Sequence, residues 1–254
     1  MTRYFTALIA FLILALPAAA APKFPALTGR VVDDAHVLSS QTQGDLDQKL
    51  AALEAKTSRQ LVVVTIPSLQ GYDIADYGYQ LGRAWGIGQG KLNNGVLFIV
   101  APTEHRVRIE VGYGLEPIIT DALSEVIIQK AVLPKFRAND FNGGVEAGVD
   151  ALIQQLSLDP SQAEARAAAI AQQAQNEDEG SGINPLSILV IILFIAIAFG
   201  RIFRGFGFWP LLFLGGMGGG RGYGGGGFGG GGFGGGGFGG GGGSFGGGGA
   251  SGSW

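Results

Sequence analysis

Apolar residues recur along the chain in two patterns, one typical of helices and one typical of strands. Helical spacing predicts helices over residues 40–56, 73–85, 120–132 and 141–156. Short apolar runs predict strands over residues 60–66, 96–101 and 107–111. Because strands and helices alternate, we expect an α/β protein, in the form of a three-layer α/β/α sandwich with a short mixed sheet.

Local signals indicate where these helices begin and end. Ser39 or Ser40 can cap the first helix, and Thr120 or Asp121 the third. Proline cannot continue a helix without losing a hydrogen bond, so Pro134 is expected to end the third helix.

The last two strands are joined by a short polar turn, which is typical of a β-hairpin. Antiparallel pairing then places Asn94, before the first strand, beside Gly112, after the second, with His105 at the opposite end. A helical connection favours a parallel crossover from the preceding strand, which brings Thr57 and Gln60 to the same edge. Polar side chains and glycines therefore gather at one end of the sheet, where α/β proteins often bind ligands.

Charged residues on the second hairpin strand leave two interpretations open. Arg108 and Glu110 point to the same face because they are two residues apart. They form either a weak ion pair on a solvated edge strand or part of an oxygen-rich site with Arg108 as charge partner. Asp33 and Asp34 likewise read either as caps of the first helix or as ligands, and the sequence does not place them.

Both ends of the chain carry features of an exported membrane protein. Residues 1–20 combine Arg3, an apolar run and small residues, which predicts a cleaved signal peptide, with an uncleaved anchor as the alternative. Residues 183–200 are apolar and long enough for one membrane span. Acidic residues precede this run and Arg201 and Arg204 follow it, so we expect a periplasmic domain and a cytoplasmic tail in the inner membrane. A hairpin that returns to the outside is the alternative.

The regions flanking the span have biased composition. Residues 159–182 are rich in alanine and glutamine and predict a helical stalk. Residues 201–254 form a glycine-rich tail in which Phe228, Phe233 and Phe238 repeat every five residues. Such a sequence cannot bury a core, so we expect disorder, with self-association through the aromatic rings as the alternative.

Overall composition excludes several classes of function. The chain has no cysteine, which excludes thiol enzymes, zinc–thiolate sites and disulfides. It has 17 basic and 20 acidic residues, without the basic stripe that nucleic-acid binding requires. We therefore expect no nucleic-acid partner.

Several motifs together resemble the TPM domain family: VVDDAHVL, TSRQLVVVTIPSLQGYDIADYGYQLGRAWGIG, NNGVLFIVAPTEHRVRIEVGYGLE and ITDALS. The resemblance assigns residues 25–158 to the domain and extends to the closing GASGSW. It implies an α/β/α sandwich with an acidic groove. Some members are described as acid phosphatases or as binding calcium or a similar cation, and others as assembly, repair or receptor-accessory factors.

The resemblance also implies which positions form the site. The family's shared polar pattern falls on Asp33, Thr57, Gln60, Asn94, Arg108, Gly112, Gly114 and Asp121. Many members carry aspartate where this chain has Asn94, so its site has one charge fewer.

The candidate ligands for a metal are oxygen donors, which suit Ca²⁺ or Mg²⁺: Asp33, Glu110, Asp121 and Asn94. The candidates for catalysis are Asp33, Asp121 and Arg108. No activated nucleophile is evident, so the sequence favours a membrane-tethered accessory or interaction module with a membrane or envelope protein as partner. The alternative is a weak metal-assisted acid phosphatase, that is, a phosphoric monoester hydrolase.

Overall fold

The computed structural model describes residues 21–180 and 241–254. Of these, residues 21–172 and 241–254 belong to one compact unit, and residues 173–180 to a second. The predicted signal peptide and the predicted membrane span lie outside the described residues. Within the described ranges, no helix is both long and apolar enough to cross a membrane.

The strands, in chain order, are β1 (Val31–Asp33), β2 (Gln60–Thr65), β3 (Gly95–Ala101), β4 (Arg106–Gly112) and β5 (Phe245–Ser253). The α-helices are α1 (Ser40–Thr57), α2 (Ile74–Trp85), α3 (Asp121–Ile127), α4 (Leu133–Arg137), α5 (Phe141–Leu156) and α6 (Pro160–Gly180). A 3₁₀ turn (Tyr113–Leu115) follows β4, and a π-helical turn (Ile128–Val132) joins α3 to α4.

The strands form one mixed sheet in the order β1-β2-β3-β4-β5. β1, β2 and β3 run parallel, whereas β4 is antiparallel to β3 and β5 is antiparallel to β4. The predicted hairpin, the parallel crossover from β2 to β3 and the mixed α/β fold are therefore confirmed. β1 and β5 are additions that the apolar pattern does not predict.

Helices cover both faces of the sheet because β2 and β3 are apolar on both sides and completely buried. On one face Val63 and Phe98 pack in a cluster with residues of α1 and α5. On the other face Val62 and Leu97 pack in a second cluster with residues of α2.

The predicted helix starts are confirmed by side-chain caps. Ser39 Oγ accepts a hydrogen bond from the amide of Thr42 at the start of α1. Thr120 Oγ1 accepts one from the amide of Leu123 at the start of α3. Each cap satisfies an amide that has no partner within the first turn of the helix.

The prediction that Pro134 ends the third helix is wrong, because helical backbone continues from α3 through the π-helical turn into α4. Pro134 lies in the first turn of α4. There its missing N–H costs little, since the wider π turn already breaks the regular hydrogen-bond ladder.

The prediction of a disordered tail is wrong for its last residues, because Phe245–Ser253 forms β5. Glycine allows this strand to approach β4 more closely than any other residue could. A Cβ atom added at Gly249 would lie 1.9 Å from the carbonyl oxygen of Ile109. Residues 201–240 of the predicted tail lie outside the described residues. The predicted stalk is helical as α6, and Ala163 and Ala167 at its start are buried.

Candidate functional site

The centre of the candidate site is a buried ion pair on β4. Val107 and Ile109 point into one core cluster, so Arg108 and Glu110 point to the opposite face, towards α2. Arg108 is 5% exposed and Glu110 is 0% exposed, and Arg108 Nε lies 2.5 Å from Glu110 Oε2. The interpretation of this pair as a solvated edge-strand ion pair is therefore wrong.

The environment of Glu110 favours its neutral form. Burial raises the pKa of Glu110 to about 7 although the Arg108 charge and its hydrogen bond act to lower it. The Gly247 amide also acts to lower it, but without a well-aligned hydrogen bond, since Oε1 has no hydrogen-bond partner among the described residues. Glu110 therefore titrates near neutral pH.

Arg108 uses both terminal nitrogens of its guanidinium to hold β5. Nη1 donates to Ser251 Oγ at 2.9 Å, and Nη2 donates to the carbonyl oxygen of Gly247 at 2.8 Å. With Nε committed to Glu110, the guanidinium bridges β4 and β5. It acts as a clamp on the strand, and it is almost completely buried.

Aromatic side chains anchor both ends of the C-terminal segment. Phe245 is 0% exposed and packs over Gly82 of α2, where an added Cβ atom would lie 2.8 Å from the Phe245 ring. Trp254 packs against Phe136, with ring centroids 4.6 Å apart, and also contacts Phe141 and His105. Large aromatic anchors of this kind supply much of the energy of a recognition surface.

Two polar side chains of the domain bind the backbone of the same segment. Asp121 Oδ1 accepts a hydrogen bond from the amide of Gly249 at 2.7 Å. Asn93 Oδ1 accepts one from the amide of Ser244 at 2.9 Å. Asp121 is thus placed beside β5, close enough to Glu110 to raise its pKa slightly.

The predicted gathering of polar residues at one sheet edge is confirmed, but these residues hold loops. Asn94 Oδ1 accepts from the amide of Gln89, and its Nδ2 donates to the carbonyl oxygen of Ser58. Gln60 Oε1 accepts from the amide of Gly88. The Thr57 hydroxyl donates to the carbonyl oxygen of Leu53. These groups are therefore occupied by structural hydrogen bonds.

Gly112 and Gly114 of the predicted pattern are required by close backbone approaches. A Cβ atom at Gly112 would lie 2.4 Å from the carbonyl oxygen of Asn93, and one at Gly114 would lie 1.9 Å from that of Leu92. Both glycines let the loop before β3 lie against the end of β4. Their role here is steric and does not identify a phosphate site.

Asp33 does not join the other predicted residues. It ends β1 opposite Thr65, whereas Asn94 lies beside Gln60 at the other end of β2, about 16 Å away along the strand. Its carboxylate accepts hydrogen bonds from the Thr65 hydroxyl and from backbone amides that lead into α1. Of the two interpretations of Asp33, the structure supports the structural one.

A separate cavity of about 300 Å³ lies near the end of β2 that carries Thr65, beside Asp33. Asp34, Tyr77, Lys23, Ser68 and Gln70 are among the residues that line it. Burial, followed by the charge of Asp34, raises the pKa of Tyr77 to about 12. The Tyr77 phenol is therefore neutral at physiological pH.

The residues present do not fit a divalent cation. Arg108 places a positive charge on Glu110, Asp33 lies at the far end of the sheet, and both polar atoms of the Asn94 amide are engaged. Residues 21–180 and 241–254 contain no group of three or more histidine, aspartate or glutamate residues arranged to hold a metal ion.

Sequence reasoning missed the contacts between the tail and the domain, above all those of Phe245 with Gly82, Ser251 with Arg108 and Trp254 with Phe136. A signal was present in the tail itself. The repeat of phenylalanine every five residues ends at Phe238, and after it serine, alanine and tryptophan interrupt the glycines. That departure from a uniform repeat marks the segment that forms β5.

Comparison with known proteins places this geometry in a family. Residues 31–155, which run from β1 into α5, match the TPM domain. The chain belongs to the TPM domain family. The match ends before α6, so β5 is supplied to the TPM domain from outside the matched region.

Two solved structures resemble the chain. One is the solution NMR structure of the N-terminal domain of a protein from P. gingivalis: the identity is 36%, the TM-score is 0.47, and the match covers 51% of this chain and 82% of the other. The second is the N-terminal domain of a protein from Corynebacterium glutamicum, with 22% identity, a TM-score of 0.42, and coverage of 56% and 88%. Among curated proteins, none matches the chain.

Proposed function

We propose that this TPM-domain protein is an accessory or interaction module, tethered to the inner membrane, that acts through the β4 edge of its sheet. The β4 edge accepts an extended strand, and the partner expected from the sequence is a membrane or envelope protein. The predicted signal peptide and the apolar residues 183–200 support export and tethering.

The observation that carries the proposal is the way β4 holds β5. A backbone ladder, a central arginine clamp and an aromatic anchor at each end are the elements by which protein domains bind an added strand. The ladder supplies affinity for extended backbone. The pockets for Phe245 and Trp254 supply selectivity for a particular segment.

The same contacts argue against efficient phosphatase activity. A phosphatase must place a nucleophile, a cation and a positive clamp around one phosphorus atom. Arg108 is engaged with β5 and Glu110, Asp121 accepts a backbone amide, and Asp33 lies elsewhere. Ca²⁺ and Mg²⁺ are therefore not part of this proposal.

The pairing of β5 with β4 also supports a revised topology. The two strands must share a compartment, so the proposal puts residues 241–254 on the periplasmic side with the domain, which agrees with the hairpin alternative. In intact cells, Lys49→Cys and Ser253→Cys should both react with an impermeant maleimide, since the chain has no other cysteine. Labelling of Ser253→Cys only after lysis would contradict this topology and support the original prediction of a cytoplasmic tail.

Strand binding is tested with the chain ended at residue 240 and a labelled peptide of residues 241–254. Fluorescence anisotropy should show saturable binding. A peptide with Phe245→Ala and Trp254→Ala should bind at least about tenfold more weakly, because hot-spot aromatics each contribute a large share of binding energy. Equal binding of the two peptides would contradict the proposal.

The phosphatase alternative is tested on the intact and shortened chains with an activated aryl phosphate. We expect kcat/KM well below about 10⁴ M⁻¹s⁻¹, the lower end of typical enzymes. A value above that level that is abolished by Asp121→Asn would contradict the proposed interaction module and show that the protein is a phosphatase.

A further inference from the structure

We propose that β5 is exchanged between copies of this protein, so that residues 241–254 of one chain fill the β4 edge of a second. This inference rests on the proposed function, because both require β4 to accept the strand. It adds the identity of a partner, which is a second copy of the chain.

The surface that receives β5, which is the edge of β4 with the neighbouring residues Gly82, Tyr113, Ile128 and Phe136, is called the cleft below. The fit between this cleft and β5 indicates which segment occupies it. A Cβ atom at Gly246 would lie 2.3 Å from the Tyr113 ring, and one at Gly252 would lie 2.5 Å from Ile128 Cγ2. Gly249 has a φ of +118°, which other residues rarely adopt. The cleft therefore selects glycine at particular positions, and every copy of the chain carries a segment with glycines at those positions.

The contacts of this segment are the same whichever copy supplies it. Phe245 packs on Gly82 of α2, Ser251 binds Arg108 of β4, and Trp254 packs on Phe136 of α4. These receiving residues all lie in the TPM domain, within residues 31–155. Exchange therefore loses none of these contacts, which is the condition under which domain swapping is inexpensive.

The residues between α6 and the C-terminal segment are numerous enough for the segment to reach a neighbouring copy as well as its own domain. Residues 181–240 separate α6 from the start of the segment, and a fully extended chain of that length spans at most about 200 Å. A domain of this size has a radius of gyration of about 15 Å, so neighbouring copies are within reach. Bringing the segment back to its own domain also costs entropy, and tethering copies to one membrane raises their local concentration.

A disulfide can report which copy supplies the strand. Arg106 is paired in register with Ser253, and the Trp254 amide donates to the carbonyl oxygen of His105. Arg106 and Ser253 therefore occupy the adjacent non-hydrogen-bonded pair, where Cα atoms lie about 4.5 Å apart, within the range for a disulfide. Both side chains are exposed, and the chain has no native cysteine.

Two full-length chains with tags of different size are co-expressed, one carrying Arg106→Cys and the other Ser253→Cys. After mild oxidation, a non-reducing gel should show a heterodimer at about ten times the yield of a control with Lys49→Cys in place of Arg106→Cys. Lys49 is a matched control because it is partly exposed but lies on α1, in an ion pair with Asp150.

Blocking the receiving cleft should give an asymmetric result. Gly82→Leu removes the space for Phe245, so it should abolish the heterodimer when placed in the Arg106→Cys chain. It should leave the heterodimer when placed in the Ser253→Cys chain, which needs only to donate its strand. Equal loss in both cases would overturn exchange, because collisional cross-linking or misfolding would affect the two arrangements alike.

The double variant Arg106→Cys/Ser253→Cys separates failure of this inference from failure of the proposed function. If it closes only within one chain and the mixed single variants give no heterodimer above control, exchange is overturned and the strand-accepting edge stands. If neither cross-link forms, β5 does not dock on β4, and both proposals fail.

Discussion

The central strand β3 and the edge strand β5 belong to the same sheet but are stabilised in different ways. β3 has the sequence GVLFIVA, is buried at every position and pairs with a strand on each side. β5 has the sequence FGGGGASGS and pairs with β4, and only Phe245 and Gly252 are buried, whereas its other positions are exposed or partly exposed. β3 is stabilised by side chains along its whole length, whereas β5 combines one buried aromatic side chain with glycines that let its backbone lie close to β4.

This difference shows why low hydrophobicity did not make the C-terminal segment disordered. Burying each large side chain of β3 contributes roughly 1.5–3 kcal/mol. Within β5 the only such side chain is Phe245, and Trp254 is the first residue after the strand ends. Between these anchors, glycines allow backbone hydrogen bonds and close contacts that a larger residue would prevent. Few but well-placed anchors are sufficient when the remaining backbone fits.

The largest expected effect comes from removing the anchor of β5. Phe245→Ala should lower the free energy of unfolding by about 3–5 kcal/mol, because it empties a fully buried aromatic site. Denaturant unfolding of the full chain measures this change. Leu92→Ala is the control, since Leu92 is 54% exposed and should change stability little. Similar effects of the two substitutions would mean that β5 is not anchored.

A second effect concerns the ion pair beneath β5. The pKa of Glu110 in the folded state, about 7, lies above its ordinary value of 4.5. The folded state therefore retains a proton that the unfolded state releases. This contribution to stability is fully present below pH 4.5 and is lost as the pH rises through about 7, by at most about 1.4 kcal/mol per pH unit.

Glu110→Gln tests this effect, because glutamine has a similar shape and does not titrate. Unfolding of the wild-type and variant chains is measured between pH 4.5 and 8. The difference between them should depend on pH in that window, with the wild type losing stability relative to the variant as the pH rises. A constant difference would show that Glu110 does not titrate there.

The smallest effect is expected from substitutions at two glycines that lie in helices. At Gly82 an added Cβ atom would contact Phe245, whereas at Gly44 of α1 nothing lies within 4 Å. Gly82→Ala should destabilise the chain by roughly 1–3 kcal/mol through overpacking. Gly44→Ala should stabilise it by about 0.5–1 kcal/mol, since alanine is the better helix former. Thermal unfolding distinguishes the signs, and stabilisation by both substitutions would contradict the packing of β5 on α2.

The sequence predicted the parts of the fold whose signals are local. The helix over Phe141–Leu156 follows from its apolar spacing, the start of α1 from Ser39, and the hairpin from the short turn between two apolar runs. The candidate site was predicted less well. Asn94 and Gln60 do lie together, but hydrogen bonds that only the folded loops provide occupy their amides.

Local periodicity, capping and turn chemistry thus determined the mixed α/β fold, and the motifs, by their resemblance to known sequences, indicated the TPM family. Whether a carboxylate is free, buried or capped depends on contacts between segments far apart in the chain, so only the tertiary structure separated Asp33 from Asn94 and buried Glu110 beside Arg108. The same holds for the fate of the glycine-rich end. Glycine carries no apolar periodicity that would predict a strand, and whether a glycine-rich segment is ordered depends on the surface against which it packs, which here is the edge of β4.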